Sequence, residues 1–191
     1  MIIQLADRNK AMCDQWRIQF EGCSDVVIHE GDFFDLPTDC VVSPANSFGF
    51  MDGGLDYVIS MKLGWQVQEK LQNQINKKYF GELLVGQAEL VETDYTPIPF
   101  CISAPTMRVP LILTESVNVY LASKAIFSLL LQEPRIKTVT ISGLGTGVGR
   151  VPYDVCAKQM YNAYNDVWLG NYSFPINWLH AQNQHFDLIK I

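Results

Sequence analysis

The sequence predicts a three-layer α/β/α sandwich that forms a single domain over residues 1–191. Short apolar runs of strand length alternate along the chain with segments of helical periodicity, which is the pattern of a sheet covered by helices on both faces. Hydrophobic residues make up 48% of the chain and charged residues 18%. A chain of this length therefore has enough apolar surface for one complete core. No repeat or Gly/Ser-rich linker suggests a domain boundary.

Seven runs are predicted to be strands because they have strand length and are rich in β-branched or aromatic residues. They are residues 2–5, 26–29, 40–43, 88–91, 100–103, 138–142 and 176–179. In an α/β sheet of this kind, ligands bind beyond the carboxyl ends of the strands. A ligand is therefore expected to bind at the segments that follow Glu30, Ser43 and Ser142.

Between these runs, apolar residues recur at the spacing of one helical face. Such stripes comprise Met12, Trp16 and Phe20, then Leu55, Ile59 and Leu63, and finally Cys156, Met160, Ala163, Tyr164 and Val167. They predict surface helices with one buried side. The run 117–131 is apolar nearly all round and lacks Gly and Pro, so it is predicted to be a helix buried between layers.

Composition excludes several classes of function. The five cysteines are odd in number, widely spread and without a Cys-x-x-Cys pair, which argues against a disulfide scaffold and a zinc site. We therefore expect reduced thiols, no metal, no cofactor and a cytoplasmic location. The N-terminal apolar run ends at Asp7, too early for a signal peptide or a membrane span, so no membrane partner is expected.

The formal net charge of −6 results from 20 acidic and 14 basic residues. A surface of this sign repels polyanions, so general nucleic-acid binding is not expected. If the protein binds phosphate, most donors must be backbone N–H groups, as at a glycine-rich loop or a helix N-terminus.

The strongest motif is the loop from Ser142 to Gly149, between a predicted strand and a helix that opens at Pro152. Its alternating glycines permit positive φ and let backbone amides approach an anion closely. The dinucleotide fingerprint fails because Val148 and Arg150 stand where its third glycine is required, and no Gly-Lys-Ser/Thr of a P-loop exists. The surroundings of Thr146 do not form a nucleophile elbow. A flexible connector is the structural alternative.

The second candidate loop runs from residue 43 to residue 56 and again enters a helix. The Asn46 amide both donates and accepts, which suits a sugar hydroxyl, and Gly53-Gly54 permits another close approach to phosphate. Asp56 has two interpretations: an N-cap for the helix, or a carboxylate that orients or activates water. Asp32, after the second strand, accepts a hydrogen bond from an exocyclic amine or closes a turn.

Taken together, these segments resemble the motifs of the macrodomain family. Gly31-Asp32-Phe33 is similar to its Gly-Asp-Ile motif, Ala45-Asn46 to the end of its Asn-Ala-Ala-Asn motif, and Gly53-Gly54-Leu55-Asp56 to the end of its glycine run. The loop 142–149 is similar to its second phosphate loop. The order also matches, with Asp56 ten residues after Asn46 as in hydrolase members.

The resemblance implies an α/β/α sandwich with a mixed central sheet that binds ADP-ribose. It implies that Asp32 meets the adenine amine, that the two glycine loops hold the diphosphate, and that Asn46 and Asp56 act at the distal ribose as catalytic residues. The implied ligand-binding residues are Asp32, Phe33, Ala45, Asn46, Gly53, Gly54, Leu55, Ser142, Gly143, Leu144, Gly145, Thr146, Gly147, Val148 and Gly149. The implied adenine-stacking aromatic is Trp178, His180 or Phe186, on the last strand and loop. Arg108 is a further candidate for phosphate contact.

The implied activity is hydrolysis of an ADP-ribosyl linkage in a protein or nucleic acid, or of an ADP-ribose phosphoester (Appr-1-p processing) or acetyl ester. The implied partner is thus ADP-ribose or an ADP-ribosylated macromolecule. Ser43-Pro44 and Met51-Asp52 depart from the hydrolase pattern, so a non-catalytic ADP-ribose reader is the alternative. A third interpretation is a structural or accessory component of a larger assembly, which uses the fold without a filled cleft. The glycine-dense loop 142–149, followed by Arg150, resembles bacterial and phage-borne versions of the family.

Overall fold

In the computed structural model of the chain, which describes residues 1–190, a six-stranded sheet forms the centre of the fold. Its strands in chain order are β1 (Ile2–Asp7), β2 (Val26–Glu30), β3 (Cys40–Ser43), β4 (Glu89–Glu92), β5 (Phe100–Ser103) and β6 (Thr138–Ile141). Their order across the sheet is β2-β1-β6-β3-β5-β4. Neighbouring strands are parallel except β4, which pairs antiparallel with β5. The expected mixed sheet is therefore confirmed.

Six α-helices accompany the sheet within residues 1–190. They are α1 (Lys10–Gln19), α2 (Gly54–Leu63), α3 (Gln66–Lys78), α4 (Asn118–Gln132), α5 (Tyr153–Ala163) and α6 (Trp178–Asp187). The helix α5 continues into one π-helical segment, Tyr164–Trp168. None of the helices that the structure describes is both long and apolar enough to cross a membrane.

Alternating side chains of the strands pack into two cores, one on each face of the sheet. Cys40 and Val42 of β3 belong to the core beneath α1, α4 and α5, whereas Val41 points into the core beneath α2 and α3. This alternation follows from the two-residue repeat of a strand. Helices thus cover both faces, and the predicted three-layer sandwich is confirmed.

The predicted strand at residues 176–179 is wrong, because α6 starts within this segment, at Trp178. Asn177 caps the helix by accepting a hydrogen bond from His180 N–H at 2.8 Å, a local signal for a helix start. No residue of α6 is buried, and Trp178 is 76% exposed.

The helix α4 differs from its prediction in burial. Its buried residues lie on one side and include Val119, Ile126 and Phe127, while Leu131 is 56% exposed. It is therefore an outer helix of the sandwich with one buried face, and the expectation of a helix enclosed between layers is wrong. Apolar residues on the solvent side of a helix are common and gave the misleading pattern.

Candidate ligand-binding cleft at the carboxyl edge of the sheet

A cleft of about 490 Å³ lies where β1, β2, β3 and β6 end. These strands are parallel, so the loops that follow them meet at one edge of the sheet. The cleft is of the size that small-molecule sites commonly have. Every residue of the predicted ligand-binding set lines it except Leu144, and Asp56 lines it as well. The roles assigned to these residues stay predictions.

Leu144 is the exception because its side chain is fully buried in the core beneath α1, α4 and α5. Its carbonyl oxygen accepts a hydrogen bond from the Cys156 thiol at 3.2 Å. Leu144 thus anchors the loop 142–149 to α5, and only its backbone is left for a ligand. The alternation of glycines with larger residues predicts that a ligand approaches the loop backbone closely. It does not predict which side chain of the loop points into the protein core.

The glycines of the loop 142–149 are present for different structural reasons. Gly145 has φ +71°, and a Cβ on Gly149 would lie 2.5 Å from the carbonyl oxygen of Gly145. Both glycines are therefore required by the fold of the loop. Gly147 differs, because a Cβ built there meets no atom within 4 Å. The backbone at Gly147 borders the open cleft.

Several N–H groups of this loop have no acceptor within residues 1–190. Hydrogen bonds from Thr146, Arg150 and Val151 N–H to carbonyls of the loop close its turns. Over the described range 1–190, no such bond is made by the N–H groups of residues 143–145 and 147–149. Buried backbone donors normally have partners, and Leu144, Gly145 and Gly149 are buried residues. These N–H groups are therefore suited to hold an anion.

The loop 44–53 leads from β3 to α2, whose first turn supplies a second set of donors. The N-cap is Gly53, which has no side chain to cap the helix, and no acceptor among residues 1–190 pairs with the N–H groups of residues 52–56. Unpaired N–H groups at a helix start favour negative charge. The cleft therefore has backbone donors on two sides.

Met51 and Asp52 occupy the positions where the family pattern has glycine. Met51 is fully buried, its N–H donates to Gln68 Oε1 at 2.7 Å, and its carbonyl oxygen accepts from Ser60 Oγ at 3.0 Å. The methionine thus ties the loop to α2 and α3 without entering the cleft. Asp52 is exposed and lines the cleft.

Asn46 uses most of its side chain to fold its own loop. Its Oδ1 accepts from the N–H groups of Phe48 and Phe50 at 3.1 and 3.2 Å, and its Nδ2 donates to the Phe50 carbonyl oxygen at 2.7 Å. Because an amide nitrogen carries two hydrogens, one N–H of Asn46 is left to meet a ligand. Asn46 can therefore donate a hydrogen bond to a sugar, but its side-chain oxygen is already used within the loop.

Asp56 is the third residue of α2, and the N-cap is Gly53. The alternative that Asp56 is the N-cap is therefore wrong. Its carboxyl group is largely surrounded by protein, and Ser43 Oγ donates a hydrogen bond to Oδ1 at 2.7 Å. Burial raises the pKa of Asp56 to about 6, against the opposing effect of the Ser43 hydrogen bond. The group can therefore gain or lose a proton close to neutral pH.

Asp32 lies in the turn that follows β2 and lines the cleft. Its Oδ1 accepts from Phe34 N–H at 2.9 Å, and its Oδ2 forms an ion pair with Arg8. The hydrogen bond from Phe34 and then the Arg8 guanidinium lower the pKa of Asp32. The interpretation that Asp32 closes a turn is confirmed by the hydrogen bond from Phe34. The carboxylate also lines the cleft, and its contact with an exocyclic amine stays a prediction.

Sequence reasoning missed several side chains of the cleft, among them Arg8 and Phe50. Arg8 follows β1 directly, and the end of a strand could have marked it. The aromatic candidates Trp178, His180 and Phe186 lie on α6 and do not line the cleft, so assigning one of them to adenine stacking is wrong.

Arg108 does not line the cleft either. Its guanidinium pairs with Glu82, with 2.5 Å between Nε and Oε1, and lies 5.1 Å from the centre of the Phe48 ring. These contacts hold the side chain outside the cleft. In the part of the chain that the structure describes, no group of three or more His, Cys, Asp or Glu side chains is arranged to hold a metal ion.

Comparison with known proteins identifies the family. The family model described as "Macro domain" matches residues 42–160. An uncharacterised protein of Aquifex aeolicus is 35% identical over 136 residues, which cover 71% of this chain and 78% of the relative. Two cleft segments, Ala6 to Arg8 and Gly31 to Phe33, lie before the matched residues.

Solved structures show the same fold at low sequence identity. The macrodomain of Mycobacterium tuberculosis DarG matches with a TM-score of 0.58 and 19% identity, covering 71% of this chain and 87% of that chain. Thermosipho africanus DarTG in complex with ADP-ribose matches with a TM-score of 0.59 and 20% identity, covering 76% of this chain and 39% of that chain. From the family-model match, which spans more than half of the chain, and the shared fold, we conclude that this chain belongs to the macrodomain family.

Proposed function

We propose that this protein binds ADP-ribose in the cleft, with the diphosphate between the loop 142–149 and the start of α2. The observation that carries the proposal is the pair of backbone segments, residues 143–149 and 52–56, whose N–H groups mostly have no acceptor within residues 1–190. Two segments of this kind can each hold one phosphate of a diphosphate. The ADP-ribose complex of Thermosipho africanus DarTG supports this choice of ligand.

The charge of the cleft also favours binding through the backbone. Its lining side chains include four aspartates, Asp7, Asp32, Asp52 and Asp56, and Arg8 as the single basic residue. Side-chain charge alone would repel a diphosphate. Backbone N–H groups carry partial positive charge without a counter-ion and can compensate where they converge on one anion.

Titration calorimetry with ADP-ribose tests this proposal. We expect saturable heat with one ligand per chain, because a single cleft combines both donor segments. Ribose 5-phosphate serves as the control and should bind more weakly, since it lacks both the diphosphate and the base. Absence of heat at millimolar ADP-ribose would contradict the proposal and favour a structural or accessory component.

We further propose that the cleft hydrolyses an ADP-ribosyl linkage, with Asp56 as the base. The supporting observation is that Asp56 lines the cleft with a pKa raised to about 6, close to the ideal for proton transfer near neutral pH. A water molecule would attack the anomeric carbon of the distal ribose. The bond between this carbon and the oxygen of the modified macromolecule would break at the same time. Asp56 would accept the water proton, and solvent would protonate the leaving oxygen.

Release of ADP-ribose from a mono-ADP-ribosylated protein tests this second proposal. We expect the wild-type rate to rise with pH through about 6, because the ionised Asp56 is the active form. Asp56→Asn should lower the rate roughly 100-fold or more while keeping ADP-ribose binding. Equal rates for wild type and variant would remove Asp56 from the reaction. Binding without release by either protein would favour a non-catalytic reader.

A further inference from the structure

We propose that Arg8 is a binding residue for the nucleobase: the flat face of its guanidinium group lies against the base while one of its N–H groups stays bound to Asp32. This inference rests on the proposed binding of ADP-ribose. Arg8 lies outside residues 42–160, the part of the chain that the family model matches, and it lines the cleft.

The position of Arg8 follows from the strand order. It comes directly after β1, which lies between β2 and β6. The backbone of Arg8 therefore stands between the turn that carries Asp32 and the loop 142–149. A ligand with its diphosphate on that loop and its base at Asp32 would pass beside Arg8.

The side chain of Arg8 is free to reorganise around a ligand. It is 79% exposed, and its one ionic partner within residues 1–190 is Asp32, whose side chain is 34% exposed. Exposed ion pairs of this kind contribute little to stability. A ligand can therefore adjust the torsion angles of Arg8 at small cost.

The cleft offers no other exposed flat side chain near Asp32. Phe33 is 8% exposed and packs edge-to-face against Phe34, with ring centres 5.2 Å apart. Phe50 is 53% exposed but follows β3, which β1 and β6 separate from β2 and the turn that carries Asp32. A base bound at Asp32 requires a planar partner, and a guanidinium group supplies one.

Geometry favours stacking of Arg8 over contact with phosphate. The N–H bonds of a guanidinium group lie in its plane, and one of them points to Asp32 Oδ2. While this ion pair persists, the N–H that binds Asp32 is not available to a phosphate, whereas both flat faces of the guanidinium group remain available. The pair also neutralises Asp32, so the carboxylate does not repel a ligand that carries a diphosphate.

Three substitutions of Arg8, measured by calorimetry with ADP-ribose, test the proposal. Arg8→Lys keeps the charge without the plane, Arg8→Tyr keeps a plane without the charge, and Arg8→Ala removes both. We expect Arg8→Lys and Arg8→Ala to raise the Kd roughly tenfold. Arg8→Tyr should stay within about threefold of wild type. An affinity of Arg8→Lys equal to wild type, or of Arg8→Tyr equal to Arg8→Ala, would overturn the stacking role.

Arg17→Ala is the matched control, because it removes one positive charge from α1 at a residue that does not line the cleft. Its Kd should equal that of wild type, and a loss as large as for Arg8→Ala would assign the effect to net charge. If wild-type protein fails to bind ADP-ribose, the proposed function and this inference both fall. If wild type binds and the Arg8 variants bind equally well, only the inference about Arg8 falls.

Discussion

Gly147→Glu is expected to weaken ADP-ribose binding roughly 100-fold or more, while the free energy of unfolding changes by at most about 0.5 kcal/mol. A Cβ at Gly147 meets no atom within 4 Å, so the folded protein accommodates the new side chain. The glutamate would extend into the cleft between the N–H groups of the loop and the ligand. It would displace the diphosphate sterically and repel it by charge.

Two glycine variants control for this result. Gly147→Ala should keep the stability and most of the affinity, because a methyl group at this position is short and has space. Gly149→Ala should instead destabilise the fold by about 1–3 kcal/mol, since its Cβ would lie 2.5 Å from the Gly145 carbonyl oxygen. Calorimetry measures affinity and chemical denaturation measures stability. Full ADP-ribose affinity in Gly147→Glu would show that the loop does not hold the diphosphate.

Asp56→Asn is expected to stabilise the fold by about 1–3 kcal/mol at pH 7.5 and to give no gain at pH 4. The pKa of Asp56 in the folded protein is about 6, above its ordinary value of 3.8. A difference of this size corresponds to about 3 kcal/mol as an upper bound. The neutral asparagine has a similar shape and can still accept the Ser43 hydrogen bond.

The direction of the pH dependence follows from proton linkage. Between pH 3.8 and about 6, the folded protein binds more protons at Asp56 than the unfolded chain does, so stability falls as pH rises. The contribution of neutral Asp56 is complete below pH 3.8 and is lost as pH passes about 6. Since asparagine does not titrate, the advantage of Asp56→Asn should appear over the same interval and stay constant above it.

Urea denaturation of both proteins from pH 4 to pH 8 measures this difference. Asp52→Asn is the matched control, because Asp52 is exposed at the rim of the same cleft and should change stability by less than about 0.5 kcal/mol. A stability gain for Asp56→Asn that is the same at pH 4 and pH 8 would contradict a pKa raised by burial. A fold stabilised by loss of Asp56 would indicate that this carboxylate is retained for function.

The elements that sequence reasoning predicted correctly have strong local patterns. The six strands confirmed by the structure are short apolar runs, and alternating residues of β3 and β5 enter the cores on opposite faces of the sheet. Residues 176–179 have similar composition, yet Asn177 starts a helix there. Short apolar runs do not distinguish strand from helix by periodicity. The Asn177 cap, which accepts a hydrogen bond from His180 N–H, decided the outcome.

Sequence by itself determined the sheet-and-helix class, the family and the loops that line the cleft, because glycine patterns and apolar periodicity are local properties. Tertiary structure alone decided which loop residues face inward: Leu144 is buried, Gly147 is open, and Met51 anchors its loop. It also brought Arg8 to Asp32 across 24 residues of chain and surrounded the Asp56 carboxyl. Strand order and burial set these features, and both depend on contacts between residues distant in sequence.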